Sequence, residues 1–408
     1  MIWENGEAEA AAEQFDLRRL PAKFYADPYP VYRALRERAP VKRLPDGSLF
    51  LSAYDDLLAV YKNTEAFSSD KREEFLPKFG DSPLYVHHTT SLVFNDPPLH
   101  TRVRKLIAGA LTPRAIGDLA PGLEALVSGL LAAMEGREQV DLIEDFAARI
   151  PIEVIGNLLA VPHGERGPLR GWSLAILGAL EPAPSAVALA IGNRAVVEMS
   201  AYLDGLIAER RKRPGDPARD VLTRLLAGES GERLSASELV HNCIFLLNAG
   251  HETTTNLIGN ALATLCAWED ERRRLIAAPE LVTQAIEEFL RFESSNQLGN
   301  RRAVREAEIG GVEIAAGQLV TLGIGAANRD PKAFRDPERL DVSRSPNRHL
   351  AFAAGPHQCA GLALARLEGR VAIGQFLRRF PNYSLAGEPT LGGRARFRGF
   401  LKLPARLR

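Results

Sequence analysis

The sequence predicts one mainly α-helical domain with a minor β part, and three observations carry that reading. From residue 99 to about 300, apolar residues recur at helical spacing with few interruptions. Short β-type runs bounded by turn residues occur near 41–52 and again beyond 300. No stretch falls to linker composition, so helices and strands belong to a single body over residues 1–408.

In chain order, residues 1–20 are Ala/Glu-rich and are expected to form a mobile N-terminal tip. Asp27-Pro28-Tyr29-Pro30 opens a short helix, VYRALRERA. VKRL and SLFLS read as two strands around Pro45-Asp46-Gly47, and YDDLLAVYKN resumes helix. Residues 68–98, with Gly80, Pro83, Pro97 and Pro98, read as a long irregular segment, a type that is usually functional. Helices are expected near 99–111, 118–135, 142–160, 185–212, 236–267 and 280–293. IGGVEIAAGQLVTLGI reads as strand, Gly turn, strand; a last helix covers about 360–379, and FRGFLKLPARL closes the chain as strand.

Composition excludes several classes. Fifty-one Lys+Arg balance 51 Asp+Glu, so no whole-chain field draws nucleic acid or an anionic membrane. Three cysteines cannot all pair, which argues against a disulfide framework and for a reducing, cytoplasmic location. The acidic N-terminus lacks a secretory pattern, and no uninterrupted apolar run reaches the roughly 18–20 residues of a membrane anchor.

The chemistry begins at Cys359, in Phe352-Ala353-Ala354-Gly355-Pro356-His357-Gln358-Cys359-Ala360-Gly361 ahead of the last helix. A cysteine at a helix start sees free N–H groups and the positive end of the macrodipole. Gly355 and Gly361 let backbone pass close to something flat or bulky. Cys243 and Cys266 sit in apolar helical runs and read as inert core. The second feature is Ala249-Gly250-His251-Glu252-Thr253-Thr254 inside the longest helix, where an acid beside two threonines breaks helix chemistry within an apolar run. The third is Glu288-Phe289-Leu290-Arg291, whose acid and base share a helix face.

These elements, in this order, resemble the cytochrome P450 superfamily; Phe-x-x-Gly-x-His-x-Cys-x-Gly is its specific haem-loop signature. The resemblance implies the P450 fold, a triangular helical haem domain, with haem b as cofactor and Cys359 as its thiolate ligand. It places Phe352 beside that ligand and implies that His100, Arg104, Arg301 (or its neighbour Arg302) and His357 hold the haem propionates, by charge-assisted hydrogen bonds. Thr253 would hydrogen-bond dioxygen or its water, Glu252 would reach the proton supply, and Ala249 and Gly250 would leave room for dioxygen. Glu288 and Arg291 would form a structural pair with a third partner, for which Arg344 is the candidate. Ala353 and Ala360 depart from residues common in relatives.

The implied reaction is monooxygenation of a small, mostly apolar organic substrate by dioxygen. The chain has too few cysteines for a four-Cys cluster and no flavin segment. Electrons would therefore come from NAD(P)H through a separate ferredoxin and ferredoxin reductase, docking near Arg366, Arg370, Arg378 and Arg379. A monomer is expected. Candidate pocket residues are Phe75, Phe79, Leu84, Tyr85, Val86, Leu92 and Val93, with Phe245 on the long helix. Ser295, Asn296, Gln297 and Leu298 follow the Glu/Arg helix, and the three polar ones suggest an oxygen function on the substrate. Competing readings are a peroxide-driven or redirected haem-thiolate enzyme and a haem sensor; the latter would not need Glu252 and Thr253.

Overall fold

The computed structural model describes residues 3–4, 6–217, 220–228 and 233–407. Its axis is the Ala236–Ala267 helix. Ser235 and Glu238 start it with a reciprocal capping box, Ser235 Oγ accepting the Glu238 N–H and Glu238 Oε2 accepting the Ser235 N–H. Apolar residues all round this helix, including Ile244, Leu247, Ile258, Ala261 and Leu262, are buried, as expected of a helix enclosed by others. Its polar residues act as ties. Asn242 accepts the Leu92 N–H and donates to Thr90 O, while Asn260 donates to the carbonyls of Glu293 and Arg398.

Helices Arg149–Leu158, Leu169–Gly178, Ala186–Lys212 and Leu362–Arg379 pack around it. Pro113–Met134 and Ala186–Lys212 are long and apolar enough to span a bilayer by length and composition. Each nevertheless carries charged residues and packs on a neighbouring helix.

The β part is a five-stranded sheet at one edge. Val41–Arg43 pairs antiparallel with Leu49–Leu51, which runs parallel to Leu319–Gly323. Leu298–Ala303 pairs antiparallel with Leu319–Gly323, Arg301 opposite Val320, and Phe67–Ser68 closes the other side. Arg301 precedes the strands of the 309–324 segment and itself lies in the Leu298–Ala303 strand.

Three expectations are corrected. The N-terminal tip is not loose: Glu7–Glu13 is helical, and Ala8, Ala12 and Phe15 are buried in a cluster with Phe24, Tyr32 and Phe50. The 68–98 segment is not irregular, because it holds the helices Arg72–Phe79 and Pro83–Thr90 and a 3₁₀ turn, Leu92–Phe94. Each helix is eight residues long, too short to show a period, and Pro83 at a first helical position mimics a loop signal. The expected 142–160 helix is split into a π-helical turn, Leu142–Ala147, and Arg149–Leu158. Pro151 falls in the first turn of the second piece, where its missing N–H costs nothing.

Candidate active site

Between the Ala236–Ala267 helix, the sheet and the Cys359 loop lies a cavity of about 350 Å³. The loop is built by backbone bonds: Ala353 N–H to Leu350 O at 2.8 Å, Gln358 N–H to Gly355 O at 3.0 Å, and Cys359 N–H to Phe352 O at 2.9 Å. Gly355 is required, since its φ is +70° and a Cβ there would lie 2.4 Å from Tyr61 O. Ala353 adopts φ +56°, a left-handed conformation that suits glycine better.

Cys359 lines the cavity. Burial pushes its thiol up, against the Gly361 N–H and the charges of Arg104 and Arg366, which pull it down. Phe352 lines the same wall and carries the Arg366 guanidinium 5.1 Å above its ring.

Ala249, Gly250, Thr253 and Thr254 supply the long-helix wall. Thr253 Oγ1 donates to Ala249 O at 2.9 Å, so its hydroxyl hydrogen is held on the helix while its lone pairs remain available. Glu252 is on another face and does not reach this cavity. It lines a second pocket of about 20 Å³ with His251, Asn256 and Arg394, room for about one water. Burial raises the Glu252 carboxyl to about 7, although Arg394 bonds it and opposes the shift. Its Oε2 has no partner.

Two arginines and two imidazoles converge on the cavity. His100, Arg104, Arg301 and His357 all line it, with the two imidazole rings 4.0 Å apart. Burial holds both imidazoles low, His357 to about 3. The nearest acid, Asp96, is 4.0 Å from His357 and accepts from Ser68 and Ser69 instead. Among the described residues the Arg301 guanidinium bonds only Asn300 O, and it sits 5.3 Å over the Tyr61 ring. Strand alternation sends Arg302 outward to Glu73 at 2.7 Å, so Arg301 is the one that faces the cavity. Two half-buried arginines with no carboxylate partner among the described residues, an orphaned His100 Nε2 and a sulfur on an apolar wall fit a flat, mostly apolar group that carries its own carboxylates.

The Glu288–Arg291 pair is as the spacing requires. Neither side chain is exposed, and Glu288 accepts Arg291 Nε and Nη2, both at 2.8 Å. Arg344 joins them at 3.0 Å, with Asn347 and the Asp341 N–H.

Pocket expectations divide. Leu92, Val93, Phe245, Ser295, Asn296 and Leu298 line the cavity. Phe75, Phe79, Leu84, Tyr85 and Val86 do not. Phe75 and Phe79 pack on His88, with centroids 5.7 and 5.4 Å away, while Leu84 is core and Val86 is 40% exposed. Gln297 turns away to Ser294 O at 2.7 Å and the Tyr29 hydroxyl. Gly355 supports the loop without reaching the cavity. The sequence reading missed several lining residues: Lys71, His87, His88, Asn248, Glu368 and Arg396. It also missed Arg394, the partner of Glu252. Asn248 alone left a trace, a lone amide in an apolar helical run.

This helical fold, with a cysteine loop and unneutralised cations on an apolar cavity, defines a haem-thiolate protein. The comparisons agree. The family model described as Cytochrome P450 matches residues 188–388. Vitamin D(3) 25-hydroxylase of Pseudonocardia autotrophica is 39% identical over 380 residues, 92% of this chain and 91% of its own length. Cytochrome P450 monooxygenase PikC of Streptomyces venezuelae is 37% identical, covering 98% and 95%. The crystal structure of P450BioI in complex with a hexadec-9Z-enoic acid ligated acyl carrier protein superposes with a TM-score of 0.89. It is 33% identical and covers 95% of this chain and 100% of that one. The chain belongs to the cytochrome P450 family. It is a haem-thiolate monooxygenase of organic substrates, and its electrons come through partner redox proteins.

Proposed function

We propose that Cys359 is the axial ligand and that His100, Arg104, Arg301 and His357 hold the two propionates. The observation that carries this is the convergence of one cysteine, two arginines and two imidazoles from distant segments on one apolar cavity. Bound haem supplies the activation of dioxygen, and a thiolate ligand favours O–O cleavage. Around it the chain's own residues bind, orient and move protons. Thr253 offers hydroxyl lone pairs and a hydrogen that can leave Ala249 O. Glu252, held near neutral pH, passes protons from the small polar pocket across the helix to Thr253. Leu92, Ile107, Leu158, Leu177 and Phe245 exclude water and hold an apolar substrate. Insertion into a C–H bond is the outcome.

Ser295 Oγ and Asn296 Oδ1, both buried without partners on the cavity wall, support an oxygen function on that substrate. Relatives named for vitamin D(3) and for a fatty-acyl carrier protein complex fit a bulky apolar body. The redox partner is a ferredoxin, docking on the helix after Cys359. Arg370 and Arg378 are exposed there, whereas Arg366 and Arg379 are paired to Glu287 and Glu135. The protein acts as a monomer in the cytoplasm; the unpaired core cysteines Cys243 and Cys266 support the reducing compartment.

The test is the carbon-monoxide difference spectrum of the reduced protein. The band of thiolate-ligated haem is expected, and Cys359→Ser should abolish it. A band unchanged in that variant overturns the ligand assignment.

A further inference from the structure

The cavity wall carries polar atoms that no group among the described residues satisfies. Asn248 has neither its Nδ2 nor its Oδ1 bonded, although only 2% of the residue is exposed. On the facing Pro83–Thr90 helix, His87 Nδ1 and His88 Nε2 are likewise unpartnered, in residues also 2% exposed. All three residues line the cavity. The His87 and His88 rings are 4.8 Å apart, and His241 stands behind, 5.6 Å from His87. His241 is seven residues before Asn248, on the same face of the long helix. A buried amide with both ends unbonded is costly, and such groups call for an occupant.

Charge separates the candidate occupants. Two cations on the same cavity already have partners. Lys71 bonds Glu74 at 2.7 Å. Arg396 donates to Leu180 O, Leu298 O and Asn300 Oδ1, and the neighbouring Glu181 and Glu74 carboxylates offset its charge. Desolvation keeps the imidazoles of His87 and His88 neutral, so they offer hydrogen bonds without charge. The unmet demand is for a neutral donor or acceptor, and Asn248 and two imidazoles can meet either. Five residues separate Asn248 from Thr253, roughly 7.5 Å along the helix. A group held at Asn248 therefore leaves carbons several bonds away beside the oxygen-activating residues.

We propose that Asn248, with His87 and His88, is a specificity site that binds a hydroxyl or carbonyl oxygen of a neutral, otherwise apolar substrate. It rests on the monooxygenase reading of the cavity and names the substrate class: an oxygenated neutral molecule, neither a plain hydrocarbon nor a carboxylate.

Three twelve-carbon probes test this on haem-loaded protein by calorimetric titration and by the shift of the haem absorption band: cyclododecanone, cyclododecane and dodecanoate. The ketone should bind at least ten-fold more tightly than either other probe. Asn248→Leu should bring ketone and hydrocarbon within about three-fold of each other, and His87→Phe should cut the preference partway. Arg396→Met should leave it intact. Thermal unfolding of each variant shows that the fold persists. Equal binding of ketone and hydrocarbon by the parent protein overturns the proposal, as does dodecanoate binding most tightly. So does a ketone preference that survives both Asn248→Leu and His87→Phe. The carbon-monoxide band is read on the same samples: its absence from the parent protein overturns the cavity reading itself, whereas its presence with no ketone preference overturns only the specificity site.

Discussion

Arg394 bonds Glu252 on the face of the Ala236–Ala267 helix that turns away from the Cys359 cavity. Residues 249, 250 and 253 face that cavity, and residues 251, 252 and 256 face the small polar pocket, so one helix separates the two. The guanidinium comes from the C-terminal strand region, 142 residues later in the chain. It holds a carboxyl that burial alone would drive higher.

A carboxyl near 7 is protonated below that pH and ionised above it, so it can both give and take protons at neutrality. Product formation should show an inflection near pH 7, which Glu252→Gln removes while lowering the rate. Arg394→Met deletes the charge that opposes burial, so the Glu252 value rises and the inflection moves to alkaline pH. The measurement is product formed against pH in a reconstituted electron-transfer system. An inflection unmoved in Arg394→Met shows that another group titrates.

Arg291 offers a stability test. It is fully buried and also donates to the carbonyls of Asn328 and Pro337, both at 2.9 Å. Removing one member of such a pair strands a buried charge, at a cost of about 3–5 kcal/mol. Arg291→Met should lose about that much in denaturant unfolding. Arg344→Met, at the 11% exposed edge of the cluster, should lose less. Equal losses would show that Arg344 is as integral as the inner pair.

The haem loop and the Glu/Arg pair were legible because their chemistry is local: a ten-residue window for Cys359, and one helical turn for Glu288 and Arg291. Even Arg344 was within reach. The choice between Arg301 and Arg302 needed the strand register, which decides what faces inward. Phe75, Phe79, Tyr85 and Val86 were misplaced because apolar residues on an eight-residue helix serve core and pocket alike, and sequence does not say which face is which. Arg394 and Arg396 were invisible for another reason. Their partners lie in segments far apart along the chain, and only packing brings them together.

Glu368 predicts how stability varies with pH. It is 2% exposed, its Oε2 is unpartnered, and burial raises its carboxyl to about 8. Below the ordinary value of 4.5 both folded and unfolded chains keep the proton. Between 4.5 and 8 the unfolded chain releases it and the folded chain does not, so stability falls as pH rises through that window. Above 8 both forms are ionised and the decline levels off. Glu368→Gln keeps shape and removes the titration. Unfolding free energies at several pH values should show a flatter profile for the variant and a gain of a few kcal/mol (an order-of-magnitude figure) at pH 8. A parallel decline in both proteins would assign the slope elsewhere.

Thr253 separates oxygen use from product formation. Its hydroxyl sits on the cavity wall, anchored to Ala249 O. Thr253→Ala removes the hydroxyl and leaves an excellent helix former, so the helix and the cavity persist. Electrons still arrive, because no residue of the cysteine side has changed. What is lost is the lone pair and the proton at the place where protons must be delivered. NADH consumption should therefore continue while product falls by about ten- to a hundred-fold, within the range for loss of a general acid–base group or less, and hydrogen peroxide should rise in proportion. Serine keeps the hydroxyl, so Thr253→Ser should restore most of the product. Product, NADH and peroxide measured in the same reaction decide the matter. Full product from Thr253→Ala would remove Thr253 from proton delivery and leave it as packing.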